Sequence, residues 1–308
     1  MRKIKFVVLV IAVVFLAQLL FFYRGVYLPH VNMPDYLSIN VNSSLPIETT
    51  DNFTSGSGTV LIDLSHGNKF NIRDINLLLS RIIARGYNVE YLSENYHLEE
   101  KLPDATSLVV ISPESSYSAD DVKAVKMFVD KGGRLLMLSE PTAENKINSL
   151  ASDFGILFWD DYLYNLLEND GNFKYIYLTD FAENDITKDL DRIVFYTSCS
   201  VFGDGLIFTD NNTYSSSSGE KGRYSVVVMT EDSQVLAIGD ATFLSEPYNA
   251  LDNNRLIYNI ADFLAPPAAT AKPEEIIPAA VNVSNVSLIE NASIQIPTND
   301  TVSNVSAE

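Results

Sequence analysis

Asp63, Ser65, His66 and Asn68 fall within one six-residue stretch, directly behind the apolar run Val60-Leu61-Ile62. Imidazole titrates near neutral pH, and a carboxylate three residues away can orient it, so Asp63 and His66 could serve as base or ligand. The opposing reading of His66 is a ring hydrogen-bonded to the backbone in a tight loop, because Ser65-His66-Gly67-Asn68 is a turn-forming run. Ser139-Glu140 follows a second apolar run and Gly239-Asp240 a third, while Asp252-Asn253-Asn254 precedes a helical pattern. Ser139 lacks the flanking glycines of a nucleophile elbow, so a strand-end turn or helix cap describes it better. Should Asp63, His66, Asn68, Glu140, Asp240 and Asn254 converge, their carboxylates and amides with one titratable base would suit a divalent cation or a polar small molecule. Otherwise each simply caps its own turn. No EF-hand, P-loop or dinucleotide fingerprint occurs, so no cofactor, catalytic residue or metal ligand is assigned.

These residues need strands and helices to hold them. Val60-Leu61-Ile62, Tyr87 to Leu92, Ser107 to Ile111 and Arg134 to Leu138 read as strands. Between them, one helical face carries Ile72, Ile75, Leu78, Leu79, Ile82 and Ile83, and another carries Val122, Val125, Phe128 and Val129. Asn71 with Asp74, and Ser118 with Asp121, have capping-box spacing, while Gly86 and Gly132-Gly133 stop the helices. A further helix is expected over Glu144 to Phe154, then a strand at Ile156 to Phe158. Strands alternating with helices through short loops predict a parallel sheet, on which ligands bind beyond the strands' C-terminal ends.

Beyond Trp159 the pattern loosens. Tyr162 to Leu167 reads as a short helix. Lys174 to Thr179, Asp191 to Tyr196, Leu206 to Thr209, Tyr224 to Thr230 and Gln234 to Gly239 read as strands added antiparallel to one sheet edge. A last helix is expected over Asn253 to Leu264.

Charge and composition narrow the partners. Lys and Arg number 21 against 40 Asp and Glu, for a net charge of −19, so no nucleic-acid partner is expected. Cys199, the single cysteine, forms no internal disulfide and reads as a small buried hydrophobe. The ends differ from the middle. Ile4 to Tyr23 is almost wholly apolar behind a basic head, which predicts a membrane-spanning anchor with the N-terminus cytoplasmic. A cleaved signal peptide competes, but bulky Phe21-Phe22-Tyr23 replaces a small-residue cleavage site. Residues 25–57 read as an extracytoplasmic stalk, 58–265 as the folded domain and 266–308 as a disordered tail. Glycosylation acceptor sequences start at Asn42, Asn52, Asn211, Asn282, Asn285, Asn291, Asn299 and Asn304.

Three stretches together carry a resemblance: VLIDLSHGN, YSADDVKAVKMFVDKGGRLLMLSEPT and VLAIGDATFLSEPYNALDNNRLIYNIADFL. They resemble uncharacterised membrane-anchored archaeal and bacterial domains of the class I glutamine-amidotransferase-like superfamily. They are also similar to the auxiliary domain of gliding-motility-type ABC transport systems. The resemblance implies a flavodoxin-like, three-layered α/β domain with a mostly parallel sheet and antiparallel additions. The turn that bears the amidotransferase cysteine reads Ser139-Glu140-Pro141 here, so glutaminase chemistry is not expected. The resulting expectation is a single-pass, cell-membrane-anchored extracytoplasmic binding or assembly module with a protein partner, an accessory of a transport or envelope complex. The alternative is a hydrolase using Asp63, His66 and Glu140, with or without a metal.

Overall fold

The computed structural model describes residues 55–93, 98–141 and 146–267, with 5–6 and 9–18 near the N-terminus. In the first half, the alternating pattern produces β1 (Gly58–Asp63), α1 (Asn76–Ala84), β2 (Tyr87–Leu92), β3 (Ser107–Ile111), α2 (Ala119–Asp130) and β4 (Arg134–Leu138). The second half adds β5 (Asp180–Phe181), β6 (Gly205–Phe208), β7 (Ser225–Met229), β8 (Val235–Ile238) and α3 (Asn253–Leu264). These eight strands form one sheet in the order β2-β1-β3-β4-β8-β7-β6-β5. Pairing is parallel from β2 through β8 and antiparallel from β8 to β5. The fold is therefore mixed α/β, with a mostly parallel centre and antiparallel strands to one side.

Side chains alternate across the sheet as a period of two requires. On β1, Val60 and Ile62 join the core beneath α1 and α3, and Leu61 joins the core beneath α2. Leu78, Leu79 and Ile82 of α1 and Leu256, Ile257, Ile260 and Leu264 of α3 pack on the first face. Ala124, Val125, Phe128 and Val129 of α2 pack on the other. Ile72 and Ile83, expected on the apolar face of α1, are exposed. A 3-10 turn at Ile72–Ile75 precedes the helix and shifts its phase. Both capping boxes form, at Asn71 with Asp74 and at Ser118 with Asp121.

Three expectations are corrected. Tyr162 to Leu167 is no helix: Leu163–Asn165 is a strand, paired antiparallel with Thr213–Ser215. Its burial alternates, Leu163 and Asn165 inward and Tyr164 between them, which is a strand's period. Val235–Ile238 is no antiparallel addition. It pairs parallel with β4, because the reversal from β7 turns the chain back into the direction of the central strands. The third correction concerns Ile4 to Tyr23. Residues 5–6 and 9–18 are helical, and the rest of that run lies outside the described residues. Among the described residues no helix is long and apolar enough to cross a membrane. The stalk up to residue 54 and the tail beyond 267 lie outside the described residues, as do all the acceptor asparagines except Asn211.

Candidate functional site

The C-terminal ends of β1, β3, β4 and β8 lie side by side, and their loops carry most of the polar residues singled out above. Asp63, the last residue of β1, is fully buried. Ser65 donates to its Oδ1 from both backbone nitrogen (3.0 Å) and Oγ (2.6 Å). His66 approaches Oδ2 through Nδ1 at 2.9 Å, and the Tyr117 hydroxyl donates to the same oxygen. Tyr117 immediately precedes α2, and its ring stacks on His66 with centroids 3.8 Å apart. The far nitrogen of His66, Nε2, stands 3.8 Å from Asp121 Oδ2 in the first turn of α2.

Electrostatics follow from this arrangement. Burial pushes the Asp63 carboxyl up, but His66, Ser65 and Tyr117 together hold it below the ordinary carboxylate range. Burial pushes the His66 imidazole down, and the Asp63 and Asp121 carboxylates more than offset that, raising it. Burial, reinforced by Asp63, drives the Tyr117 hydroxyl well above its usual value, so it stays a donor. The arrangement holds the His66 ring between a buried carboxylate and a partly exposed one, which favours its protonated form. Asn68 belongs to the same loop: its Oδ1 accepts from the His66 backbone (3.3 Å) and its Nδ2 donates to the Ile111 carbonyl (3.0 Å). It ties the loop after β1 to the end of β3.

Glu140 and Asp240 form a second group. Glu140 Oε2 accepts from the Thr242 hydroxyl at 2.8 Å. Asp240, fully buried at the end of β8, accepts from the backbone nitrogens of Tyr196 and Thr242. Burial, then the Glu140 charge, push its carboxyl up to about 8. Ser112 links the groups, accepting from Lys69 through its carbonyl and from the Glu140 nitrogen through Oγ. It is buried with φ at 40°, a left-handed conformation that costs a non-glycine residue roughly 1–3 kcal/mol. Asn254 lies elsewhere, where its carbonyl accepts from Arg81 of α1. Its neighbours hold the strand Ile193–Tyr196 and the residues before it: Asp252 accepts from the nitrogens of Asp191 and Arg192, and buried Asn253 binds Val194. Among the described residues, no three His, Cys, Asp or Glu side chains come together as a metal site.

Tyr117, Thr242 and Asp121 escaped the reading of the sequence as site residues. The signal for Tyr117 was its place: a hydroxyl-bearing ring directly before a capped helix that starts at the ligand-binding edge. Nothing in the sequence marks Thr242.

Two outcomes follow. A carboxyl whose native pKa is raised stabilises fully below its unfolded value near 3.8, and that stability is lost as pH rises towards about 8. Glu140→Gln removes one cause of the shift while preserving an acceptor for Thr242. Its unfolding free energy should exceed the parent's at pH 8 by roughly 1 kcal/mol and differ little at pH 4.5. Equal differences at both values would refute the coupling. Cys199 is 1% exposed, and burial pushes its thiol far up. Alkylation by iodoacetamide should therefore be on the order of 100-fold slower in the native chain than in urea. Comparable rates would show the site to be open.

A family model described as the IFT52 GIFT domain matches residues 59–176. Among solved structures, the N-terminal domain of IFT52 ("mmIFT52") aligns at 14% identity over 67% of this chain and 97% of that one, with a TM-score of 0.57. That likeness shows a shared fold. A ThuA-like protein from Parabacteroides merdae aligns at 10% identity over 72% of this chain and 94% of that one, with a TM-score of 0.43. A β-galactosidase from the Antarctic haloarchaeon Halorubrum lacusprofundi gives 14%, 68%, 30% and 0.40. No curated protein matches the chain.

These findings correct the family expected from the sequence. The matching domain is the IFT52 GIFT domain, rather than a membrane-anchored amidotransferase-like or ABC-transport auxiliary domain. The stretches that carried the earlier resemblance answer to packing. Gly132 has φ at 96°, and a Cβ on Gly133 would collide with the Phe128 ring. Gly239 likewise faces the Cys199 carbonyl, and Asp240 holds the next strand-end loop. Any sheet closed in this way asks for the same residues. The membrane, envelope and transporter-accessory readings fall with that family, as does the cell-membrane location. The hydrolase reading falls too: Glu140 pairs with Thr242, away from the hydrogen bonds that close around Asp63 and His66.

Proposed function

We propose that the chain is a subunit of a multi-protein transport particle of the intraflagellar-transport type, in which the α/β domain is a protein-binding module. The observation that carries this reading is the likeness of residues 59–176 to the IFT52 GIFT domain, named for a component of an intraflagellar transport complex. Its location would then be that of a ciliary transport complex. The strand order with β1 between β2 and β3, and cores on both faces, support a flavodoxin-like three-layer description of the module. Asp63, His66 and Asn68 pin the loop after β1, and Glu140 and Asp240 pin those after β4 and β8. In this reading they present a rigid edge, with Asp121 at its surface and the largely buried His66 ring behind it, to a partner or polar ligand. Function on folds of this kind lives in such grafted edges rather than in the sheet itself.

The test is a tagged full-length chain purified gently from its own cells, followed by size-exclusion chromatography and cross-linking. Co-elution with a fixed set of subunits at constant stoichiometry supports the reading. Elution as a free chain across a range of salt concentrations overturns it.

A further inference from the structure

Beyond β4 the chain makes a two-stranded antiparallel ribbon, Leu157–Phe158 against Val201–Phe202. Its inward side chains, Phe158 and Val201, are buried in the core beneath α2. Alternation then forces the neighbouring residues outward. Leu157 is 38% exposed, Trp159 54% and Phe202 64%. Register places Phe202 opposite Leu157, and Trp159 is two residues further along the same strand, where its nitrogen donates to the Ser200 carbonyl. Three large apolar side chains thus share the outer face of a ribbon whose inner face is already packed. Single exposed apolar residues are common; a contiguous trio including the chain's one tryptophan is a mark of an interaction surface.

The ribbon is bordered by acidic residues. Asp160 adjoins the trio and is exposed. Next to Phe202 a groove of about 450 Å³ opens between the 154–156 and 229–232 segments, lined by Asp204, Glu231 and Asp232 with no lysine or arginine. Ile156 and Gly203, which line the groove, adjoin Leu157 and Phe202 in the chain, so the acidic groove borders the ribbon. On a chain of net charge −19 this edge attracts cations, and an exposed indole adds a face suited to them.

We propose that the Leu157-Trp159-Phe202 face is a docking surface for a protein segment that brings an apolar anchor flanked by lysines or arginines. The anchor lies across the ribbon, and the flanking cations sit in the Asp204-Glu231-Asp232 groove. Complementarity of this type sets partner choice and association rate, while the desolvated anchor supplies most of the affinity. The proposal deepens the assembly role above and rests on it.

The full-length chain reports on its own surface, because Trp159 is its only tryptophan. The probe is the synthetic decapeptide KKLFLLFLKK, which contains no tryptophan. Its addition should quench and blue-shift Trp159 emission saturably. The charge-matched peptide KKSSSSSSKK should bind at least tenfold more weakly. The double variant Leu157→Ser/Phe202→Ser keeps the charge and alters only exposed side chains; its far-ultraviolet circular dichroism should match the parent's. It should lose at least tenfold in affinity for KKLFLLFLKK. Neutralising the groove with Asp204→Asn/Glu231→Gln/Asp232→Asn should flatten the salt dependence of binding. Equal affinity of parent and double variant overturns the proposal, since binding would then reflect bulk charge alone. In cells, the double variant should drop out of the particle. Its undiminished co-elution overturns the docking surface and leaves the assembly role standing, whereas a parent chain that co-elutes with nothing removes the assembly role itself.

Discussion

Replacing Gly239 with alanine should destabilise the chain by roughly 3 kcal/mol or more, a large share of the 5–15 kcal/mol typical of a domain. A Cβ there would fall well inside contact distance of the Cys199 carbonyl and 2.8 Å from Ser198 Oγ. Neither neighbour can retreat cheaply. The Cys199 nitrogen donates to the Gly239 carbonyl at 2.9 Å, and the Gly239 nitrogen donates to Val226 at 2.9 Å. Moving one strand end away from the other would break both bonds and unseat Asp240 beside them. Urea unfolding of the full-length chain measures the loss. A midpoint indistinguishable from the parent's would show that the backbone relaxes freely here, against the packing described.

Asp63→Ala carries the second large effect, about 3–5 kcal/mol. The fully buried carboxylate satisfies the Ser65 nitrogen and hydroxyl, His66 Nδ1 and the Tyr117 hydroxyl. Alanine would strand these donors and leave the His66 ring without its buried carboxylate partner. Tyr117→Phe gives the contrast, since it removes one donor and keeps the ring stacked on His66; its cost should be nearer 1 kcal/mol. The two changes also act on His66 differently. Its pKa is raised by Asp63 and then by Asp121, so removing Asp63 should lower it, and Tyr117→Phe should leave it raised. NMR titration of the ring reads this directly. If Asp63→Ala left the His66 pKa in place, the coupling would be refuted even where the stability loss appeared.

Much of this was legible from local pattern. The first four strands, their two helices and both capping boxes follow from period and cap chemistry, because each is decided within about a dozen residues. Asp63, His66 and Asn68 were found together because sequence neighbours in a turn stay neighbours in space. The family was misread for a related reason. Glycines at helix ends and an aspartate at a strand end are demanded by close packing, so they recur wherever such a sheet is built.

What the sequence determined by itself is the set of local elements and the outward and inward faces of each. Alternating burial in Leu157–Phe158 and the apolar stripe of α3 are both properties of spacing. Tertiary structure alone decided which of these elements meet. Glu140 and Asp240 are a hundred residues apart in the chain, and only the pairing of β8 parallel to β4 brings their loops together. The same pairing sets Ser112, Glu140 and Thr242 in line, and placing Tyr117 before α2 swings its hydroxyl onto Asp63. Asn254 stays out of that edge because α3 packs on α1, where burying its apolar stripe outweighs any pull of a polar cluster. Pairing and packing depend on long-range burial, which no window of sequence contains.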